Sequence, residues 1–269
     1  MILASEECDL TETAVCAPTE VTDIFEFREP IFEILGFPIT RTVSLIFLVA
    51  VVVVGLVFFG LRKRAVQPGK FQVAIEGLMG FVRDEVAVGI IGPDGIKYYP
   101  YLLSLFLFIL IGNAFEVTPF INFPITSRMA IPLFLALVTY VIFITAGVRR
   151  QGLRYFGDIL WPPGVPLFLK PLVGIIEAFS IFFVRPFSLA VRLFANLVAG
   201  HVMLTVLLVT GVVALSSFNE IGLAALFGIG WWVIGLLIYM FEVIVILLQA
   251  YIFTLLSAVY IETSLHPQH

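Results

Sequence analysis

From about Leu167 to Leu215 the sequence runs apolar with no polar break. As one continuous helix at ~1.5 Å per residue it would be ~70 Å long, more than twice a ~30 Å hydrocarbon core. Two short spans would need a polar hairpin between them, and the central segment "FFVRPFSLAV" offers none. One oblique helix, kinked at Pro186, is therefore expected. "SSFNE" (216–220) is the first turn signal after it, and a second apolar stretch of similar length, about Ile221 to Ile261, follows. These two segments dictate an all-α polytopic membrane protein whose last two helices form a long, tilted antiparallel hairpin.

The rest of the chain agrees. Of its 269 residues 61% are hydrophobic and only 13% charged, whereas a soluble domain is nearer a quarter charged. Five crossings are expected: 41–64, 100–120, 130–149, 166–215 and 221–262. Residues 71–91 recur at helical spacing (Phe71, Ile75, Leu78, Phe81), but Glu76, Arg83, Asp84 and Glu85 break the apolar run. They read as an amphipathic helix lying on the membrane surface, ended by the "GPDG" turn at 92–95. Basic clusters mark the cytoplasmic side. Arg62, Lys63, Arg64, Lys70, Arg83, Lys97, Arg149, Arg150, Arg154 and Lys170 then fall inside, and Arg28, Arg41 and Arg128 outside. The N-terminus is expected outside and the C-terminus inside.

Residues 1–40 are expected to form an external tail. Its first 33 residues hold nine acids against one base, Arg28. The tail lacks a basic n-region, so it is expected to stay on the mature protein. Cys8 and Cys16 both lie in it, and a disulfide and free thiols are equally open. The membrane domain is 41–269. No segment is large enough for a soluble catalytic domain, and "QPGKF" is not a phosphate-binding loop. No catalytic residue, metal ligand set, cofactor or nucleic-acid partner is expected.

An arginine at the centre of a span costs at least ~2.5–3.5 kcal/mol, and it cannot escape by losing its proton. Arg185 can snorkel or pair with a carboxylate. Arg192 is harder to place, because residues 186–199 contain no acid and Glu177 lies about four turns away. The other intramembrane polar groups are Asn113, Glu116, Asn196, His201, Glu242 and Gln249. Lone amides are usually interhelical glue, but three carboxylates with a histidine mark an ion or proton path.

An antiparallel hairpin turning at Asn219–Glu220 sets Arg192 level with Gln249. It sets His201 level with Glu242, nearer the outer face. His201 and Glu242, with Asn113 and Glu116 at the outer end of their span, point to outer proton access. Glu177, beyond Arg192, points to an inner route. A permanent cation between the two would stop a proton running straight through. It would also keep a passing partner carboxylate ionised.

"RPFSLAVRLFANLVAGH" (185–201) and "LLQAYIFTLLSAVYI" (247–261), with "PGKFQVAIEGLMGFV" and "GNAFEVTPF", resemble subunit a of F-type ATP synthases over about residues 65–262. The resemblance implies that Arg192 is the essential stator charge facing a ring of c subunits. It implies that Asn196, His201, Glu242, Gln249, Asn113, Glu116 and Glu177 line two offset half-channels. It further implies b-type peripheral-stalk subunits, a soluble catalytic head reached indirectly, and a bacterial plasma membrane. The chain itself would be non-catalytic. Two departures stand out. The gap from Glu177 to Arg192 is one residue longer than the family's pattern. In "PITSRMAIP", Ser127 and Met129 stand where an acid and an asparagine are usual, with Arg128 between them. A secondary transporter is the competing reading, but it would show two similar halves with broken helices. A sodium-translocating form of the same subunit also stays open, because the partner's carboxylate site would set the ion.

Overall fold

The computed structural model describes residues 32–34, 37–61, 69–118, 125–161, 166–217 and 222–266. The tail to residue 31 with both cysteines, the basic cluster at 62–64 and the turn at Asn219–Glu220 lie outside the described residues. The membrane body is all-helical, as expected. Ahead of it strands β1 (Phe32–Ile34) and β2 (Phe37–Ile39) pair antiparallel, with Phe32 opposite Ile39, a small departure inside the segment read as tail.

Helix α1 (Arg41–Leu61) is apolar on all sides. It buries Leu45 and Val49 and leaves Phe47, Val51 and Val54 exposed. A helix hydrophobic all round belongs in a membrane or a core. Helix α2 (Lys70–Phe81) runs on through a π-helical stretch (Val82–Val88) into a last turn at Gly89–Ile91. The first part of this amphipathic segment buries nothing. The second part inserts Val82, Val86 and Ala87 into the bundle.

The "GPDG" stretch ends α2 for a physical reason. Gly92 takes a φ of 82°, where a side chain would be strained. Gly95 sits so close to the Ala87 carbonyl that a Cβ would collide with it. Asp94 accepts from Lys97 at 2.9 Å and from Arg150 at 2.8 Å, tying this turn to the end of the fourth helix. Lys97, and after it Arg150, hold the Asp94 carboxyl below the usual carboxylate range.

Helix α3 (Tyr99–Ala114) and helix α4 (Ala130–Gln151) follow, then a short helix α5 (Arg154–Leu160) between the third and fourth expected crossings. Helix α6 runs from Lys170 to Ser216, and helix α7 from Phe227 to Leu265. The expected starts at 166 and 221 move inward. Leu169 folds back on the Pro166 carbonyl before α6 begins, and a 3₁₀ turn, Gly222–Leu226, precedes α7. The end expected at 262 moves outward to Leu265.

The long helix is continuous across Pro186, as expected, but the irregularity takes a particular form. A π-helical turn, Ser180–Val184, sits directly before Arg185 and Pro186. Proline has no N–H, and its ring collides with the carbonyl four residues back. Widening the preceding turn relieves both faults without breaking the helix.

Helices α1, α4, α6 and α7 are long and apolar enough to cross a membrane. The remaining expected crossing rests on α3, whose 16 residues make about 24 Å of helix. Helix α7 packs along α6, α3 and α4, and α1 packs on α3. Leu102, Ile109, Phe143, Leu189, Leu193, Leu197, Phe253 and Ile261 fill the shared core. The outward faces stay apolar, including Phe179, Phe183 and Phe187 on α6 and Leu236, Met240 and Ile244 on α7. Such surface fits lipid or another membrane chain.

Candidate functional site

Helices α6 and α7 run antiparallel. Close approach at the Ser217/Gly222 end is made by glycines, with Gly211 against Trp232 and Gly228, and Gly235 against Leu208. This is the turn end of the hairpin; the end near Lys170 and Leu265 is the open end. Small residues let helix backbones approach where no hydrophobic force drives them together.

Nearest the turn end, Gly200 faces Glu242. A Cβ at position 200 would lie 2.5 Å from both carboxylate oxygens, so the glycine makes room for the acid. The neighbouring His201 points around the helix to a third element. Its Nδ1 lies 3.4 Å from a carboxylate oxygen of Glu116, in the turn that follows α3. The hairpin register expected His201 to pair with Glu242. It brought these residues to nearby depths, but it could not see that adjacent residues point about 100° apart on a helix. The contact made is His201–Glu116, and Glu242 lies within electrostatic reach of Glu116.

Glu116 (2% exposed), Glu242 (3%) and His201 (6%) are all buried. Behind them Asn113 accepts a hydrogen bond from Thr126 at 2.7 Å. Glu116 Oε2, Glu242 Oε1 and the Asn113 side-chain nitrogen are buried with no hydrogen-bond partner among the described residues. Buried polar atoms in that condition call for water.

One step toward the open end, Asn196 donates its side-chain amide to Gln249 Oε1 at 3.0 Å. Gln249 was expected level with Arg192, and it bonds instead one helical turn away. Arg192 itself is half-buried. Among the described residues no hydrogen bond or ion pair engages it. Ala195, Asn196, Ala199 and Met203 continue its face outward, all exposed. The face is mostly small and apolar, with one fixed positive charge.

Toward the open end lies a second polar group. Arg185 donates to Thr263 Oγ1 at 3.2 Å and stacks 5.2 Å from the Tyr260 ring centre. Of the two options open for Arg185, neither a bare snorkel nor a carboxylate pair is what these contacts describe; it bridges α6 to the last turns of α7. The Tyr155 hydroxyl meets Ser264 Oγ at 3.2 Å. Glu177 is half-buried here, within electrostatic reach of Tyr155. The π-helical turn lies between Glu177 and Arg192. Such a turn accommodates one extra residue within a continuous helix.

Sequence reasoning passed over Tyr155, Thr263 and Ser264, and also the buried Thr139 and Ser257, which lie 3.4 Å apart between α4 and α7. Hydroxyls carry no charge to stand out in an apolar run. The spacing of Thr254, Ser257, Ile261 and Ser264 on one buried face of α7 was the signal available.

A membrane bundle that buries two acids and a histidine on one side of an arginine that no described residue neutralises has the marks of an ion-translocating membrane subunit. The family model described as ATP synthase A chain matches residues 42–262. Bacterial proteins named ATP synthase subunit a align with most of the chain. The one from Frankia alni is 39% identical over 82% of this chain and 76% of its own length. One from an Arthrobacter species is 40% identical over 76% and 77%. One from a Nocardioides species is 37% identical over 92% and 88%. The chain belongs to the ATP synthase A chain family and is a multi-pass membrane subunit of the F-type synthase.

Proposed function

We propose that this chain is the stator half of a proton path that couples translocation to rotation of a ring of c subunits. The observation that carries the reading is Arg192. It is a permanent cation within a membrane-spanning helix, unengaged among the described residues and placed on a face of small, exposed side chains. Such a face lets another helix come close, and a carboxylate on that helix would meet the guanidinium.

The acid cluster at the turn end serves as the outer access route. A proton entering from outside passes Glu116, His201 and Glu242, and water in the route is held by Glu116 Oε2 and Glu242 Oε1, which lack hydrogen-bond partners among the described residues. It then reaches the rotor carboxylate, with Asn196 and Gln249 lining the way. The neutralised carboxylate rotates away through lipid. On its return it meets the open-end route by Glu177 and releases its proton inward. Arg192 stands between the routes. Its charge keeps a proton from hopping directly between them, and it favours the ionised rotor carboxylate in passing. The chain crosses the bacterial plasma membrane five times, with α3 as the short span. Its N-terminus is external and its C-terminus cytoplasmic, and α2 rests at the inner surface. The b-type stalk subunits hold it against the catalytic head.

Disulfide trapping tests the face. Cysteines at 195 or 199, with Cys8 and Cys16 removed, should crosslink to a cysteine beside the rotor carboxylate in the assembled complex. Crosslinks formed only from the opposite face, for instance from 197, would refute the assignment.

A further inference from the structure

We propose that Tyr239 is a positioning residue that holds the two carboxylates of the outer route at their working separation; this rests on the outer-access reading above. The Tyr239 hydroxyl donates to the Val117 backbone carbonyl at 2.6 Å, joining residues far apart in the chain. Val117 is the residue after Glu116, and Tyr239 precedes Glu242 by three positions on α7. Residues three apart share a helix face. One bond therefore ties the turn carrying Glu116 to the helical turn carrying Glu242.

Glu116 also meets His201 on α6, but the turn's other backbone and hydroxyl bonds among the described residues are local. Glu116 N–H donates to the Asn113 carbonyl at 2.9 Å, and Thr118 Oγ1 donates to the Ala114 carbonyl at 2.9 Å. Both bonds stay within the end of α3 and do not set its distance from α7. Val117 lies beyond the end of α3, outside its hydrogen-bond ladder, so its carbonyl can take a side-chain donor from a neighbouring helix. Two buried carboxylates within reach of each other repel when both are ionised. A turn free to move would separate them and carry Glu116 away from His201. Tyr239 opposes that movement while touching neither carboxylate in the described contacts.

The test uses membrane vesicles carrying the assembled complex. Proton flux is measured at a series of pH values for Tyr239→Phe, Glu116→Gln and the double variant, with assembled complex quantified for each. Tyr239→Phe keeps the ring and removes the donor. It should shift the pH profile and lower flux roughly two- to tenfold, the range set by losing one hydrogen bond. In the Glu116→Gln background it should add nothing further. A wild-type profile in Tyr239→Phe, when Glu116→Gln does change the profile, overturns the role of Tyr239 and leaves the outer route standing. Independent, multiplying losses in the double variant also overturn it, because the phenol then supports the fold without acting through Glu116. An unchanged profile in Glu116→Gln removes the outer-access reading itself, and Tyr239 with it.

Discussion

The side-chain amide of Asn196 donates to Gln249 at 3.0 Å, and Arg192, one turn earlier on the same helix, takes no part. The glutamine is thus fixed by an amide and not by the guanidinium. The charge stays available to a group outside the chain. Single cysteines at 196 and 249, with Cys8 and Cys16 removed, should therefore crosslink readily. The pair at 192 and 249 should crosslink more slowly or only through a spacer. Faster reaction of the 192 pair would show the hairpin shifted by a turn.

The buried acid and histidine should couple across α3 and α6 more strongly than within the hairpin. Removing one partner of a buried polar contact strands the other without a replacement. A double-mutant cycle in proton flux between Glu116→Gln and His201→Ala should show a large interaction term. The cycle between Glu242→Gln and His201→Ala should show a smaller one. The reverse order would restore the two-helix pairing expected from spacing.

Gly200→Ala tests the seat of Glu242. The added methyl meets the end of a flexible side chain, so the complex should still assemble. The carboxylate must swing away, and flux should fall, on the order of tenfold or less for a lost contact of ~1 kcal/mol. Normal flux with normal assembly would mean that the Gly200–Glu242 contact does not matter.

Asp94 gives a pH prediction away from the membrane route. Its folded-state pKa lies below the ordinary value of 3.8, because of Lys97 first and Arg150 after it. The turn's contribution is therefore fully present above the ordinary value and is lost as pH falls through the lowered one. Protection of the 92–98 amides, corrected for intrinsic exchange, should stay constant with pH around neutrality, where Asp94 is ionised. It should fall in strong acid, and Asp94→Asn should lower it at neutral pH. Equal protection in Asp94→Asn would show that the ion pairs do not hold the turn.

Much of this architecture is legible in the residues. Apolar length sets the long hairpin, and Pro186 announces the irregularity before Arg192. The form it takes, a π-helical turn, depends on backbone bonding that composition does not reveal. Among the polar residues, charge made Arg192, Glu116 and Glu242 visible, and the hairpin register placed His201 and Glu242 at nearby depths. At Gln249 the bond goes to Asn196, one turn from the residue that spacing set level with it, because which side chain on a face reaches across is not contained in the spacing. It missed His201–Glu116 because that contact needs a third helix, whose placement no two-helix spacing contains. Tyr239 and Ser264 escaped for a different reason. An aromatic or a hydroxyl in an apolar run reads as packing until its partner is known.

The central claim is that Arg192 separates two access routes and engages a rotor carboxylate. ATP-driven proton pumping and passive proton conduction, both measured in inverted vesicles carrying Arg192→Ala, test it most directly. Pumping should be abolished while the catalytic head still binds nucleotide, and passive conduction should rise as the two routes join. Arg192→Lys should fail nearly as badly, since an ammonium lacks the planar fork and can lose its proton. Near-normal coupled pumping by Arg192→Ala, without added leak, would contradict the account.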